Sequence, residues 1–326
     1  MEPSQGKALC AQFGLGRLRA LGIAGGTRNA NFLLTTDTGK WFARQRHSAY
    51  SEAERIRFDH AVERYMAERG VPVQQPRPTL AGAPWWDDNG TVWEVFPFVE
   101  GRHLRDGNAE DVAALGAAVG QWHQAGRDFP LRYEKAAPRG ETDPERLMQR
   151  AETLAQESAE TAEALVPYRQ ALERAARELP AHRYAALPHT LIHGDIQPAN
   201  VLMREGRVAA FVDLDWCAWQ ARLYDLCFVI LVCCASHATP IDGGDIRSLT
   251  QTPFLNADVT AAFLRAYQDA SAPLTAEERA ALWPQLALSW CHVRVDGAYK
   301  VPADERAAFL RRPPDPAASD WLALPL

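Results

Sequence analysis

The sequence predicts an α+β chain, β-rich over residues 1–96 and mostly helical over 97–326. Three observations carry this. Hairpin signals, Thr38-Gly39 and Asp88-Asn89-Gly90-Thr91, punctuate short apolar runs in the first part. Beyond Gly101 apolar residues recur at helical spacing. One β-type stretch, Leu191 to Asp213, interrupts the helical part and concentrates its polar residues in a tight loop.

In chain order, the Thr38-Gly39 turn joins two strands, the second holding Trp41-Phe42-Ala43-Arg44. Ser51 to Arg69 is a helix whose Ile56, Val62, Tyr65 and Met66 share an apolar face. Pro72 to Pro84 is a Pro-rich connector. The Asp88–Thr91 turn links Trp85-Trp86 to a strand running from Val92 to Val99. Asn108 caps a helix to about Ala125, with Val112, Leu115, Val119 and Trp122 inward. Asp143-Pro144 opens another helix, and an Ala- and Glu-rich stretch continues to Leu179. Leu223 to Ala235 is the most apolar run, about thirteen residues, and is expected to be a buried helix. Thr275-Ala276-Glu277-Glu278 is a capping box, and Pro284 should kink that helix or begin a new one.

The stretch Leu-Ile-His-Gly-Asp-Ile-Gln-Pro-Ala-Asn-Val-Leu at 191–202, then Glu205-Gly206 and Val208–Asp213, holds the chemistry. Pro198 stiffens the loop and argues against a helix, while Glu205-Gly206 turns the chain back, so Asp213 can sit near Asn200. An Asp followed five residues on by an Asn, with a second Asp after the next apolar run, is the spacing of a kinase catalytic loop and its metal-binding Asp. Asp195 could accept a hydroxyl proton. The Asn200 amide oxygen and the Asp213 carboxylate are hard ligands suited to Mg²⁺. Phosphoryl transfer asks for positioning and charge neutralisation more than covalent chemistry.

His-Gly-Asp-Ile-Gln-Pro-Ala-Asn resembles the catalytic loop of the aminoglycoside phosphotransferase and choline kinase superfamily, and Phe211-Val212-Asp213 and Leu223-Tyr224-Asp225-Leu226 resemble two further signatures. Locally the chain is most like the type II homoserine kinase branch, through its glycine turn, the strand Arg, and Phe263–Tyr267 ahead of Pro273-Leu274-Thr275. The resemblance implies a bilobal protein-kinase-like fold, a small β-rich amino-terminal lobe (1–96) and a larger mostly helical lobe (97–326), with ATP and Mg²⁺ as cofactors. It makes Asp195 the catalytic residue, Asn200 and Asp213 the metal ligands, and His193 and Asp225 structural braces of the loop. His123 is expected to be a buried structural histidine. Gly25, Gly26, Thr27 and Asn29 fall in a phosphate-covering turn, where glycines allow close backbone approach. Arg44 stands where kinases carry a strand lysine, with Gln45 and Arg46 as competitors. Its helix partner by position is Asp59, with Glu52, Glu54 and Glu63 as rivals. Glu94, Phe96 and Phe98 are adenine contacts at a hinge. The acceptor pocket would draw on Asp215, Trp216, Trp219, Asp296 and Tyr299, with His292 and Arg294 as further candidates.

Composition is that of a soluble globular protein. The formal charge of −6 and the lack of a basic block argue against nucleic acid as a partner. No signal pattern or apolar run long enough to span a bilayer is present, and six cysteines without a Cys-x-x-Cys pair suit a reduced, cytoplasmic protein without structural zinc. The expected partner is a small molecule with a hydroxyl, an amino alcohol or homoserine-like compound ranking above an aminoglycoside. The alternative is a nucleotide-binding module without turnover. A protein kinase is disfavoured, since no Ala-Pro-Glu segment follows Asp213.

Overall fold

The computed structural model describes residues 1–25, 28–130, 143–241 and 245–311. After helix α1 (Pro3–Phe13), strands β1 (Leu18–Gly25), β2 (Ala30–Thr36) and β3 (Lys40–Gln45) run into helix α2 (Ala53–Glu68), then β4 (Trp86–Asp88) and β5 (Thr91–Pro97). These strands form one antiparallel sheet in the order β1-β2-β3-β5-β4. The β4–β5 turn uses Asn89 and Gly90, both at positive φ, as a tight hairpin of matching twist requires. Phe32, Leu34, Ala43, Trp93 and Val95 bury one sheet face against Leu9 and Phe13 of α1.

The rest is mainly helical. Strand β6 (Arg102–His103) precedes α3 (Ala109–Gly126), α4 (Pro144–Ala155), α5 (Ala159–Ala164), α6 (Val166–Glu178) and α7 (Ala181–Ala185). Then come β7 (His189–Ile192), β8 (Val201–Arg204), β9 (Arg207–Phe211), β10 (Ala218–Ala221) and α8 (Leu223–Val229). Helices α9 (Ile246–Leu249), α10 (Ala257–Ala270), α11 (Ala276–Ala298) and α12 (Arg306–Leu310) complete the chain. The caps form as local chemistry dictates: Asn108 accepts from the Asp111 N–H, Asp143 from Glu145 and Arg146, and Thr275 and Glu278 make a reciprocal box. Helix α3 packs along α10 so closely that a Cβ on Gly116 would lie 2.5 Å from the Phe263 carbonyl oxygen.

Of the two outcomes expected at Pro284, a new helix is ruled out: α11 continues through it, with Pro284 buried among Leu282, Trp283 and Leu286. Tertiary packing here outweighs the roughly 3 kcal/mol that an interior proline costs. The apolar run from Leu223 forms the expected buried helix, α-helical to Val229 and a π-helix over Ile230–Cys234. The Pro-rich connector also does more than link strands: Pro72 accepts from the Phe211 N–H at 2.7 Å, tying the first part of the chain to the β8–β9 hairpin.

Candidate active site

The β8–β9 hairpin brings the key groups together. Glu205 and Gly206 take positive φ in its turn, Val201 pairs with Phe211, and the Val212 N–H donates to the Asn200 carbonyl at 3.0 Å. Residues remote in sequence thus sit side by side at one end of the hairpin. The Asn200 side-chain amide donates to Asp195 Oδ2 at 2.8 Å and to the Asp195 carbonyl at 3.0 Å. That orientation leaves the Asn200 amide oxygen as the atom to offer a cation. Gln197 Nε2 also donates to Asp195 Oδ2, at 3.1 Å.

The loop is held from beneath. Asp225, fully buried on α8, accepts from the backbone N–H groups of His193 and Gly194, both at 2.9 Å, and lies 3.1 Å from His123 Nε2. His123 Nδ1 contacts the Tyr267 hydroxyl at 3.0 Å, and His193 Nε2 contacts the Val212 carbonyl at 3.2 Å. Gly194 has φ +81°, and a Cβ there would lie 2.3 Å from the Trp216 carbonyl oxygen, so the loop needs glycine for both its backbone angle and its clearance.

Asp213 also takes a left-handed backbone, φ +63°. Unlike Asn89 and Glu205 it lies in no hairpin turn, and such strain, about 1–3 kcal/mol, gathers at functional positions. Its carboxyl is pushed up to about 6, first by desolvation and then by repulsion from Asp215. Surplus negative charge of this kind is what a divalent cation would relieve. The described residues hold no cluster of three or more His, Cys, Asp or Glu able to bind a metal unaided. A mixed Asn and Asp donor set fits a cation that also takes oxygens from phosphate.

Across the cleft two arginines meet four carboxylates. Arg44 Nη1 lies 3.3 Å from Asp213 and 3.1 Å from Asp215, and its Nε lies 3.4 Å from Glu94. Arg46, not Arg44, bridges to the helix: its contacts are Asp59 at 2.6 Å, Glu94 at 2.9 Å and Asp215 at 2.9 Å. Burial works against the Arg44 charge, but Glu94, Asp215 and Asp213 outweigh it and hold the guanidinium above its usual range. Burial also opposes the Glu94 charge, yet Arg46 and Arg44 draw that carboxyl well below the carboxylate range. Glu63 is the odd member: desolvation, with Glu94 beside it, holds its carboxyl well above the usual range.

Several expected contacts therefore fall elsewhere. Glu94 is fully buried in this ion cluster, 2.6 Å from His60, and Phe96 packs beneath Arg44; neither borders the cleft, because β5 is flanked by β3 and β4. Phe98, just beyond the strand, does border it. Asp215 borders the cleft but is committed to Asn29 at 2.6 Å and to both arginines, so it fastens the two lobes together. Trp216 borders the cleft as well, while Trp219 packs against the core from β10 and Arg294 is buried against Thr250 and Phe309. Gly25 and Asn29 line the roof; Gly26 and Thr27 lie outside the described residues.

Asp195, Asn200, Asp213 and Arg44 face one cleft of about 1360 Å³ between the sheet and the helices. Its wall continues past Asp195, Asn200 and Asp213 to Arg146 and Arg150 of α4 and to His292, Asp296, Tyr299 and Lys300 at the end of α11. Sequence reasoning passed over Arg146, Arg150 and Lys300, since cations on amphipathic helices are ordinarily surface charge.

A model of the phosphotransferase enzyme family matches residues 19–283. A homoserine kinase of Methylorubrum populi is 30% identical over 230 residues, 70% of this chain and 68% of its own. One from Rhodopseudomonas palustris is 28% identical over 302 residues, covering 90% and 83%. Among solved structures, an amicoumacin kinase in complex with AMP-PNP, Ca²⁺ and Ami superposes with TM-score 0.70 at 16% identity, covering 95% of this chain and 92% of its own. A microcompartment-associated aminopropanol kinase superposes at 0.65 with 18% identity, covering 94% of each chain.

Proposed function

The chain belongs to the phosphotransferase enzyme family and is a small-molecule kinase, and from that premise we propose that it moves the γ-phosphate of Mg²⁺-bound ATP to the hydroxyl of an amino alcohol or homoserine-like acceptor. The observation that carries the reading is the meeting of Asp195, Asn200 and Asp213 in one cleft with Arg44 above them. Asp195 holds the acceptor hydroxyl and accepts its proton as the hydroxyl oxygen bonds to the γ-phosphorus and the bond to the bridging oxygen of the departing ADP breaks. Asn200, its amide nitrogen engaged by Asp195, has its oxygen free to hold a cation together with Asp213. Mg²⁺ held there would neutralise charge on the phosphates. Arg44 grips the phosphate tail with two donors, and the turn around Gly25 and Asn29 covers it. Phe98 and the exposed Ile23 offer apolar contact to the base.

Homoserine kinases at 28–30% identity favour a homoserine-like acceptor over an aminoglycoside. Six free cysteines, and no helix among the described residues long and apolar enough to cross a membrane, suit a cytoplasmic setting. The test is a pair of variants. Asp195→Asn should keep Mg²⁺-ATP affinity and lower turnover by about 10²–10⁴-fold; full activity would remove Asp195 from the mechanism. Asp213→Ala should weaken Mg²⁺-dependent nucleotide binding, and unchanged affinity by calorimetry would remove its role as a ligand.

A further inference from the structure

We propose that the end of the cleft walled by α4 and α11 is a carboxylate-binding subsite with Arg150 as its main donor, and that the acceptor of this kinase carries an anionic group as well as its hydroxyl. The proposal rests on the phosphotransferase reading above and selects among its acceptors.

Arg150 is held from three sides. Its Nε donates to Asp296, its guanidinium lies 3.9 Å from the centre of the Tyr299 ring, and its backbone carbonyl accepts from the Tyr299 hydroxyl at 2.9 Å. Its two terminal nitrogens have no partner among the described residues, and the side chain is 33% exposed at the cleft wall. A guanidinium fixed by its Nε and by an aromatic face, with its fork open, is pre-organised for a planar two-oxygen anion.

The charge balance points the same way. A structural bridge to Asp296 needs one cation. Here Arg150, Arg146 at 3.0 Å and His292 at 2.8 Å all converge on that carboxylate, and Lys300 lines the wall beside them. Burial opposes the Asp296 charge, but the His292 hydrogen bond and the two arginines draw its pKa down to about 2, so it stays ionised. Arg150 and Lys300 alone bring two positive charges to this wall beside the Asp296 carboxylate. A polycationic acceptor meets repulsion there. A purely cationic amino alcohol gains nothing from Arg150. An acceptor with a carboxylate a few bonds from its hydroxyl gains charge-assisted hydrogen bonds while the hydroxyl reaches along the same cleft.

The experiment compares three acceptors of like skeleton, homoserine, its carboxamide and 3-aminopropan-1-ol, through acceptor-dependent ADP formation by the full chain with Mg²⁺-ATP. Homoserine should exceed the other two in kcat/KM on the order of 10- to 100-fold, the worth of one or two charge-assisted hydrogen bonds. Arg150→Gln should bring that ratio close to one, mainly through a higher KM for the acid, and Arg150→Lys should give a ratio between the two. Equal use of the three acceptors by the unaltered protein would overturn the subsite and leave the kinase reading standing. The same ratio in Arg150→Gln would overturn the role of Arg150. Absence of ADP with every acceptor, while AMP-PNP binds, would overturn the proposed amino-alcohol acceptor and the subsite with it.

Discussion

Arg44 and Arg46 carry the same charge into the same buried cluster, and their contacts assign them different work. Arg46 is 1% exposed and touches Asp59, Glu94 and Asp215 at 2.6–2.9 Å. In Arg46→Met the space is filled but three carboxylates lose their shared counter-charge. Removing one partner of a buried ion pair costs about 3–5 kcal/mol. At about 2 °C per kcal/mol, the lower end of the range for a large chain, Tm should fall by about 6–10 °C. Arg44 makes longer contacts, 3.1–3.4 Å, and Glu94 and Asp215 keep Arg46 when it is lost, while Asp213 borders the cleft. Arg44→Met should therefore cost only about 1.5–3 kcal/mol, one charge-assisted hydrogen bond. Its larger effect should be on Mg²⁺-ATP, with affinity lowered at least about tenfold, or 1.4 kcal/mol. Differential scanning calorimetry and nucleotide titration on both variants decide the matter. If Arg44→Met is the less stable protein, or if Arg46→Met loses more nucleotide affinity while still folded, the division of labour is wrong.

Two further outcomes follow from buried groups. Glu63 has a folded pKa above its unfolded one, so its stabilising protonation is fully present below about pH 4.5 and is lost as pH rises toward the folded value. Glu63→Gln cannot ionise, and its Tm relative to the unaltered protein should rise as pH increases above about 4.5 in thermal melts; a difference independent of pH would contradict a raised Glu63. Gly194→Ala must relieve a 2.3 Å approach to the Trp216 carbonyl and a positive φ, and should lose about 2 kcal/mol or more together with most turnover, read by urea unfolding and ADP formation. Native-like stability and activity would mean the loop has more room than its geometry indicates.

The catalytic hairpin was legible because its determinants are local: a turn pair at Glu205-Gly206, β-branched flanks, and a proline that stiffens the loop. Helix caps at Asn108, Asp143 and Thr275 were legible for the same reason. The partner of Asp59 was not. Arg44 and Arg46 are two residues apart, so both reach one side of the sheet, and only the placement of α2 decides which meets Asp59. Glu94 read as a hinge residue because the aromatic run around it looks like a strand end, yet β4 folds back on the outer side and makes β5 an interior strand. Asp215 had the position of an acceptor ligand, but nothing in the sequence announces that Asn29, far upstream, closes onto it. The cations of α4 were invisible because helical periodicity gives the direction of a side chain and not what stands opposite it.

The Arg44 guanidinium donates to the Asp213 carboxylate. A free divalent ion would have to compete with a guanidinium already seated there, whereas a triphosphate offers that guanidinium a richer destination and vacates the carboxylate in the same movement. Nucleotide and metal should accordingly enter as one unit, and the ion by itself should be a poor visitor.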